Sequence, residues 1–342
     1  MAISIIIPTL DRARLLNRTL LSLANQITDE DHEIIVVDNG SKDNTREICK
    51  LHEASFKNLV YVYDDRPGLL VGRHIGAQRA RGEILTFIDD DVIIPPYWLQ
   101  GITEVFDKSG DVSLATGNNY PFFENPPPEW LNQMWCKYGS AGQHLYQLSF
   151  LCFGSRSMVI DPGYVWGLNF HIRKDTFFDL GGFNPDILPS KFRYFIGDGE
   201  LGITRKVKAR NIKAFFDPRL SLYHTATRER LTKEYFLHRS YTEGLMNGYT
   251  DIRKIITSGT SPRFSPKNEQ IKKLKQYIKY FSILATNNSL FTFKRDMITS
   301  SVRGYNDYLQ HVAENSLVME YIREENYLNI DSMQSKYYSK IN

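Results

Sequence analysis

Three consecutive aspartates, Asp89, Asp90 and Asp91, follow the apolar run Ile84-Leu85-Thr86-Phe87-Ile88 and precede Val92-Ile93-Ile94-Pro95-Pro96. In an extended chain residues i and i+2 point to the same side, so Asp89 and Asp91 can share one face. Hard carboxylate oxygens on one face suit Mg2+ or Mn2+, with substrate phosphates completing the shell. The plainer alternative is an acidic turn capping a strand. Three mutually repelling carboxylates directly after a buried strand are a costly way to build a turn, which favours the metal reading. Asp38 ends a second apolar run, Glu33–Val37, and heads the turn Asp38-Asn39-Gly40-Ser41. A carboxylate there can accept hydrogen bonds from a ribose or a base. The first turn, Pro8-Thr9-Leu10-Asp11-Arg12, has no GxGxxG, which argues against a dinucleotide enzyme. The chain also has no GxxxxGK[ST] loop of the ATPase type.

These side chains need a frame. Ser4–Ile7, Glu33–Val37, Leu59–Tyr63 and Ile84–Ile88 read as strands, while Arg14–Gln26, Lys42–Ala54 and Gly72–Ala80 read as helices. Leu15, Leu16, Leu20 and Leu23 fall at helical spacing in the first helix, with Asp11 available as its N-cap. Strand and helix alternating at this pitch predict an α/β fold, a mainly parallel sheet with helices on both faces. Ligands of such sheets bind beyond the carboxyl ends of the strands, so Pro8–Asp11, Asp38–Ser41 and Asp89–Asp91 would share one rim. After Trp98 the alternation weakens into a Pro-rich loop over 121–128 and a Gly- and Ser-rich stretch over 139–164. Order returns as a strand at Gly167–Arg173, a short element at Thr176–Leu180, a helix at Glu200–Ala209 and an edge strand at Leu220–His224. From Lys233 the pattern is helical, with long helices expected over 267–278 and 297–327 and a linker over 259–266.

The chain has 342 residues, 42% apolar and 24% charged, the profile of a globular protein with a sizeable core. Its 20 Tyr and 20 Phe suit stacking on bases and sugar rings, although burial is the commoner use of an aromatic. Cys49, Cys136 and Cys152 lack metal-binding spacing and fit free thiols in a reducing compartment. No basic stretch precedes the first strand, and no apolar run approaches the roughly 20 residues of a membrane-spanning helix. A cytoplasmic protein is therefore expected. Lys and Arg outnumber Asp and Glu markedly between Arg205 and Arg295. That excess suits either a solvated basic face or an anionic partner, such as the inner face of a membrane.

Taken together the segments resemble inverting glycosyltransferases of family 2, which have the GT-A fold. The resemblance runs from about Ile3 to Glu243 and rests on several motifs. They are Ser4-Ile-Ile-Ile-Pro-Thr9, Ile35-Val-Val-Asp-Asn-Gly-Ser41, Gly72-Arg-His-Ile-Gly-Ala77, Arg81-Gly-Glu-Ile-Leu-Thr-Phe-Ile-Asp-Asp-Asp91, Gly167-Leu-Asn-Phe170, Leu180-Gly-Gly-Phe183 and Gly197-Asp-Gly-Glu-Leu201. The resemblance implies that Pro8, Thr9, Asp11, Arg12, Asp38, Asn39, Gly40, Arg73, Asp89 and Asp90 hold the nucleotide. It implies that Asp89, Asp91 and His224 hold Mn2+ or Mg2+. It places Trp166, Gly167, Asn169 and Phe170 on the acceptor and sugar side. Asp198 matches the family's general base, with Gly197 where a Glu is usual and Glu200 able to serve instead. Arg228, Arg230 and Arg239 are candidates for phosphate contact, although a solvated helix face is the favoured reading for them.

The expected organisation is a GT-A domain over residues 1–245 and a helical C-terminal extension over 246–342. The expected activity is metal-assisted transfer from a nucleotide-sugar, UDP-sugar by resemblance, to a hydroxyl of a glycan or lipid-linked acceptor in surface polysaccharide or glycolipid assembly. Homo-oligomerisation and peripheral membrane contact are left open as partner readings, and nucleic acid is not expected. A sugar-nucleotide pyrophosphorylase would need a Gly-rich basic first loop that Pro8–Arg14 lacks. A degenerate scaffold subunit would be expected to lack some of the acidic positions, and all of them are present.

Overall fold

Ile3–Thr9 (β1) and Ile84–Ile88 (β4) are buried at every position, so both need cover on both faces and lie inside a sheet. β1 pairs in parallel with β4 and with His32–Asp38 (β2), and β2 pairs in parallel with Leu59–Tyr63 (β3). Leu114–Thr116 (β6), Met158–Ile160 (β11), Asn169–Arg173 (β12) and Ala214–Phe216 (β13) complete eight strands in the order β11-β13-β6-β12-β4-β1-β2-β3. The sheet is mixed, because β12 runs antiparallel to both β4 and β6 and β11 runs antiparallel to β13.

A second sheet comes from the region expected to be mostly loop. Val92–Ile93 (β5), Asn119–Phe123 (β7), Cys136–Tyr138 (β8), Gly142–Leu145 (β9), Phe150–Cys152 (β10) and Leu222–Ala226 (β14) form it in the order β5-β14-β7-β10-β9-β8. Most of these strands are too short to show a period, which is why the sequence hides them. β14, expected at an edge, lies between β5 and β7.

Helices Ala13–Ala24 (α1), Thr45–His52 (α2) and Leu69–Arg79 (α3) follow β1, β2 and β3. α1 buries Leu15, Leu16, Leu20 and Leu23, as their spacing predicts. Asp11 does not cap it. Asp11 has φ +52° and turns its carboxylate to the Lys42 N–H at 2.6 Å. The Ala13 N–H at the helix start donates instead to Asp43 at 2.9 Å. Phe87, Phe170, Phe177 and Phe183 pack as one cluster under the sheet, with ring centroids 4.8 Å apart for Phe87 and Phe183.

The structure, a computed structural model, describes residues 2–108, 112–138, 142–186, 188–257 and 289–340. It divides into Met1–Arg230 together with Glu324–Asn342, and Leu231–Arg323. The expected boundary near residue 245 falls inside a continuous helix, Lys233–Thr257, here α7, since Trp98–Lys108 (α4), Lys174–Asp179 (α5) and Glu200–Ala209 (α6) precede it. α7 packs on Ser289–Glu314 (α8) at a close crossing, where a Cβ on Gly244 would strike the Ser301 carbonyl. Tyr241 Oη donates to Asp307 across the pair at 2.7 Å. The helix expected over 297–327 breaks at Asn315, after which Ser316–Arg323 (α9) begins. The expected helix at 267–278 and the linker at 259–266 lie outside the described residues. No helix among the described residues is long and apolar enough to cross a membrane.

The last segment rejoins the first unit. The Tyr327 carbonyl accepts from His74 and the Leu328 carbonyl from Gln78, both on α3, at 3.0 and 2.8 Å. Tyr338 packs at a tilt against Phe192 and edge-on against Phe195.

Candidate active site

β1, β2 and β4 run parallel, so their carboxyl ends share one rim and bring Thr9, Asp38 and the three aspartates together. Asp38 is 2% exposed, and its carboxylate accepts from the Ser41 N–H and from Tyr61 Oη, each at 2.7 Å. Beside it opens a cavity of about 570 Å3 lined by Asp38, Ser41, Asp43, Arg46, Glu47, Tyr61 and Tyr63. Gly40, at φ +91°, lets this turn pass close to Asp65. Asn39 packs its side chain against Gly72, where a Cβ would collide with it and with Pro8.

Asp89, Asp91 and His224 can each place a ligand atom within 4.8 Å of the others. The loop after β4 supplies the first two and β14 the third. His224 Nδ1 lies 2.8 Å from the Leu148 carbonyl, which can only accept, so the proton sits on Nδ1. Nε2 then faces Asp91 Oδ1 at 3.3 Å and also lies 3.1 Å from Arg230 Nη1. A guanidinium N–H can only donate, which fits a bare Nε2. Asp91 Oδ1 is buried and accepts no hydrogen bond. Two electron-rich atoms facing each other with no proton between them suit a cation, so these residues fit a divalent metal.

Asp91 Oδ2 lies 3.0 Å from Arg230 Nη2 and also pairs with Arg12. Burial alone would raise the Asp91 pKa. The guanidinium charges of Arg230 and Arg12 oppose it, and the carboxyl is held well below the usual carboxylate range. Asp90 turns the other way, accepting from Thr9 Oγ1 at 2.7 Å and pairing with Arg12 Nη1 at 2.8 Å. Burial pushes Asp90 up to about 7, with Arg12 opposing and Asp91 adding. Arg230, for which sequence favours a solvated face, is thus a half-buried partner of the Asp91 carboxylate. Its place six residues beyond His224 was the available signal.

On the far side of Asp89 lies Arg73, with its side chain 4% exposed. Its Nη2 lies 3.3 Å from Asp89, and its Nη1 lies 3.7 Å from both Asp186 and Glu200. Gly167 covers it so closely that a Cβ would overlap the guanidinium. Asp186 has no motif and is invisible in sequence. Burial and the neighbouring Asp186 push the Glu200 pKa up, against the pull of Arg73. Asp198 is 1% exposed, and one of its oxygens accepts from Asn184 at 2.7 Å while the other pairs with Arg205.

The remaining expected residues divide. Trp166 is 5% exposed, donates to the Gly163 carbonyl at 3.1 Å and packs edge-on against Tyr146 and His144 beside Gly167. Asn169 and Phe170 lie elsewhere, both fully buried. Asn169 holds the Leu220 carbonyl at 2.9 Å and Asn119 at 3.0 Å inside the core. β12 places Phe170 opposite Phe87 in the core.

Residues 4–171 match the family described as Glycosyl transferase family 2. Over that stretch the chain belongs to glycosyl transferase family 2. It is 29% identical over 200 residues to validoxylamine A glucosyltransferase of Streptomyces hygroscopicus subsp. jinggangensis, covering 54% of this chain and 47% of that protein. It is 37% identical over 120 residues to chondroitin synthase of Escherichia coli, covering 34% of this chain and 17% of that protein. The chain spans about half, or less, of the length of these curated relatives. The mannosyltransferase PcManGT of Pyrobaculum calidifontis, solved with GDP-Man and Mn2+, superposes with TM-score 0.52 at 15% identity, covering 97% of this chain and 86% of that one. The fold of this family 2 chain is GT-A, with a helical C-terminal region.

Proposed function

We propose that this family 2 chain transfers a sugar from a nucleoside diphosphate sugar to an acceptor hydroxyl with inversion. One observation carries the reading. The Asp38 cavity, the Asp89-Asp91-His224 group and the Arg73-Glu200-Asp186 cluster lie at the carboxyl-end rim, the last two joined through Asp89 and Arg73, which supports reading them as sites for nucleoside, diphosphate and reacting carbon. Tyr61 and Asp38 would hold the nucleoside, with uridine favoured by the family resemblance. Asp89, Asp91 and His224 would hold the metal, which neutralises the departing diphosphate. A donor set of two carboxylates and one imidazole favours Mn2+ over Mg2+, because nitrogen suits the softer ion. Arg12 and Arg230 add charge beside the same phosphates.

Glu200 is the proposed base in place of Asp198. Its side chain is 22% exposed against 1% for Asp198, whose oxygens are already taken by Asn184 and Arg205. A base must reach the acceptor hydroxyl and hold a proton well enough to remove it, and the raised pKa of Glu200 serves that. One displacement by the acceptor oxygen, with its proton passing to Glu200 as the bond to the leaving diphosphate breaks, inverts the anomeric carbon.

Calorimetric titration of UDP, GDP and dTDP, with and without Mn2+, tests the donor site. Metal-dependent binding of UDP, lost in Asp91→Ala, is the expected result. Absence of binding by every nucleoside diphosphate under both conditions would sink it.

A further inference from the structure

The strand that carries His224 has a second face. Adjacent strand residues point to opposite sides, so Tyr223 faces away from the metal group. There it forms part of a cleft of about 460 Å3, within the range of small-molecule sites, about 300–1,000 Å3. One wall is aromatic. Tyr223 and Tyr120 are register partners on β14 and β7 with ring centroids 5.6 Å apart, and Tyr97 stands on the rim. Tyr97 and Tyr223 remain 60% and 42% exposed, unusual for large rings that burial would reward.

Polar side chains complete the lining and are already ordered. Gln100 donates to Glu104 at 3.0 Å, and Arg219 bridges Glu104 and Asp217. The floor is rigid: Trp98 is fully buried and donates to the Leu220 carbonyl at 3.1 Å. Gly101 lets α4 approach Arg219, whose Cβ would stand 2.9 Å from an added methyl.

We propose that this cleft is a second binding site, for a neutral oligosaccharide. A pyranose has an apolar C–H face and a hydroxyl edge, which the tyrosine wall and the Gln100-Glu104-Arg219 wall match. The charges of the lining are paired among themselves, so it has no excess with which to hold a phosphate or an anionic surface. Glycan held on Tyr223, one residue from His224, would be kept at high local concentration near the transfer site. That tethering role rests on the proposed transferase reading, whereas the binding itself does not.

The test is ligand-observed NMR and calorimetry, without nucleotide, using maltohexaose, cellohexaose, chitohexaose and mannohexaose, with polygalacturonate hexamer as an anionic control. At least one neutral hexasaccharide is expected to bind with roughly millimolar Kd, weakened about ten-fold in Tyr97→Ala/Tyr223→Ala and unchanged in Asp91→Ala. If that double variant fails to fold, Tyr97→Ala alone, at an exposed position, gives the same reading. UDP titration with Mn2+ on the same samples reports the donor site separately, so loss of one reading leaves the other intact. Binding by none of the neutral hexasaccharides, preference for the anionic control, or binding that survives the tyrosine variants would overturn the proposal.

Discussion

Arg73 Nη2 lies 3.3 Å from Asp89 Oδ1, so the guanidinium joins the Asp89-Asp91-His224 group to Asp186 and Glu200. The same side chain faces Asp186 and Glu200, and its positive charge offsets three carboxylates in a buried space. Removing it as Arg73→Met would leave those carboxylates to repel one another. A loss of about 3 kcal/mol in stability is expected, read from denaturant midpoints. A variant as stable as wild type would show that the cluster is not electrostatically held.

Glu200→Gln should lower kcat by about 100- to 10,000-fold while leaving UDP binding intact. Asp198→Asn should act on folding instead, costing about 1–3 kcal/mol through the weakened pairing with Arg205. Full loss of turnover in Asp198→Asn with unchanged Tm would reverse the assignment of the base.

The raised pKa of Glu200 also fixes a pH dependence. The base works only when ionised, so activity should fall with acid at a higher pH than for an ordinary carboxylate. The charged groups facing Glu200 are Arg73 and Asp186. Asp186→Asn removes a negative neighbour and should move that acid limb down. Arg73→Met removes a positive one and should move it up. Profiles of kcat/KM against pH that stay fixed in both variants would contradict the arrangement.

His74 accepts from the Phe183 N–H at 3.0 Å through Nε2 and meets the Tyr327 carbonyl at 3.0 Å through Nδ1, which needs a neutral ring. Burial, partly opposed by the Tyr327 contact, lowers its pKa to about 4. A depressed folded pKa means that the stabilisation is whole above the unfolded value of about 6.5 and is lost as pH falls towards 4. The difference corresponds to about 3 kcal/mol, so Tm should drop steeply between pH 6.5 and 4. His74→Gln should flatten that slope. An equal slope in both proteins would place the acid sensitivity elsewhere.

Arg12 pairs with Asp90 and Asp91, where it competes with a divalent cation for the same carboxylates. Arg12→Met is therefore expected to tighten Mn2+ binding in the absence of nucleotide by about three- to ten-fold, as read by electron paramagnetic resonance titration. Weaker Mn2+ binding in the variant would mean that Arg12 shapes the site more than it competes for it.

Much of the frame is local and therefore legible. The alternation of apolar runs and helical periods places β1 to β4 and their helices, and the period of two in an extended chain puts Asp89 and Asp91 on one side. The second sheet escaped because strands such as β8 and β10, at 3 residues each, are shorter than any pattern can register. Asn169 and Phe170 sit in a motif that looks like an acceptor wall, yet strand pairing turns both into the core.

Sequence alone determined which chemical groups stand at the ends of the parallel strands, because strand direction and side-chain alternation depend only on neighbours along the chain. Tertiary structure decided which charges meet. Arg230 reaches Asp91, Asp186 and Glu200 share one guanidinium, Asp198 is sealed by Asn184 and Arg205, and Tyr327 steadies His74 from 253 residues away. Such pairings follow from packing between elements distant in the chain, and no local period encodes them.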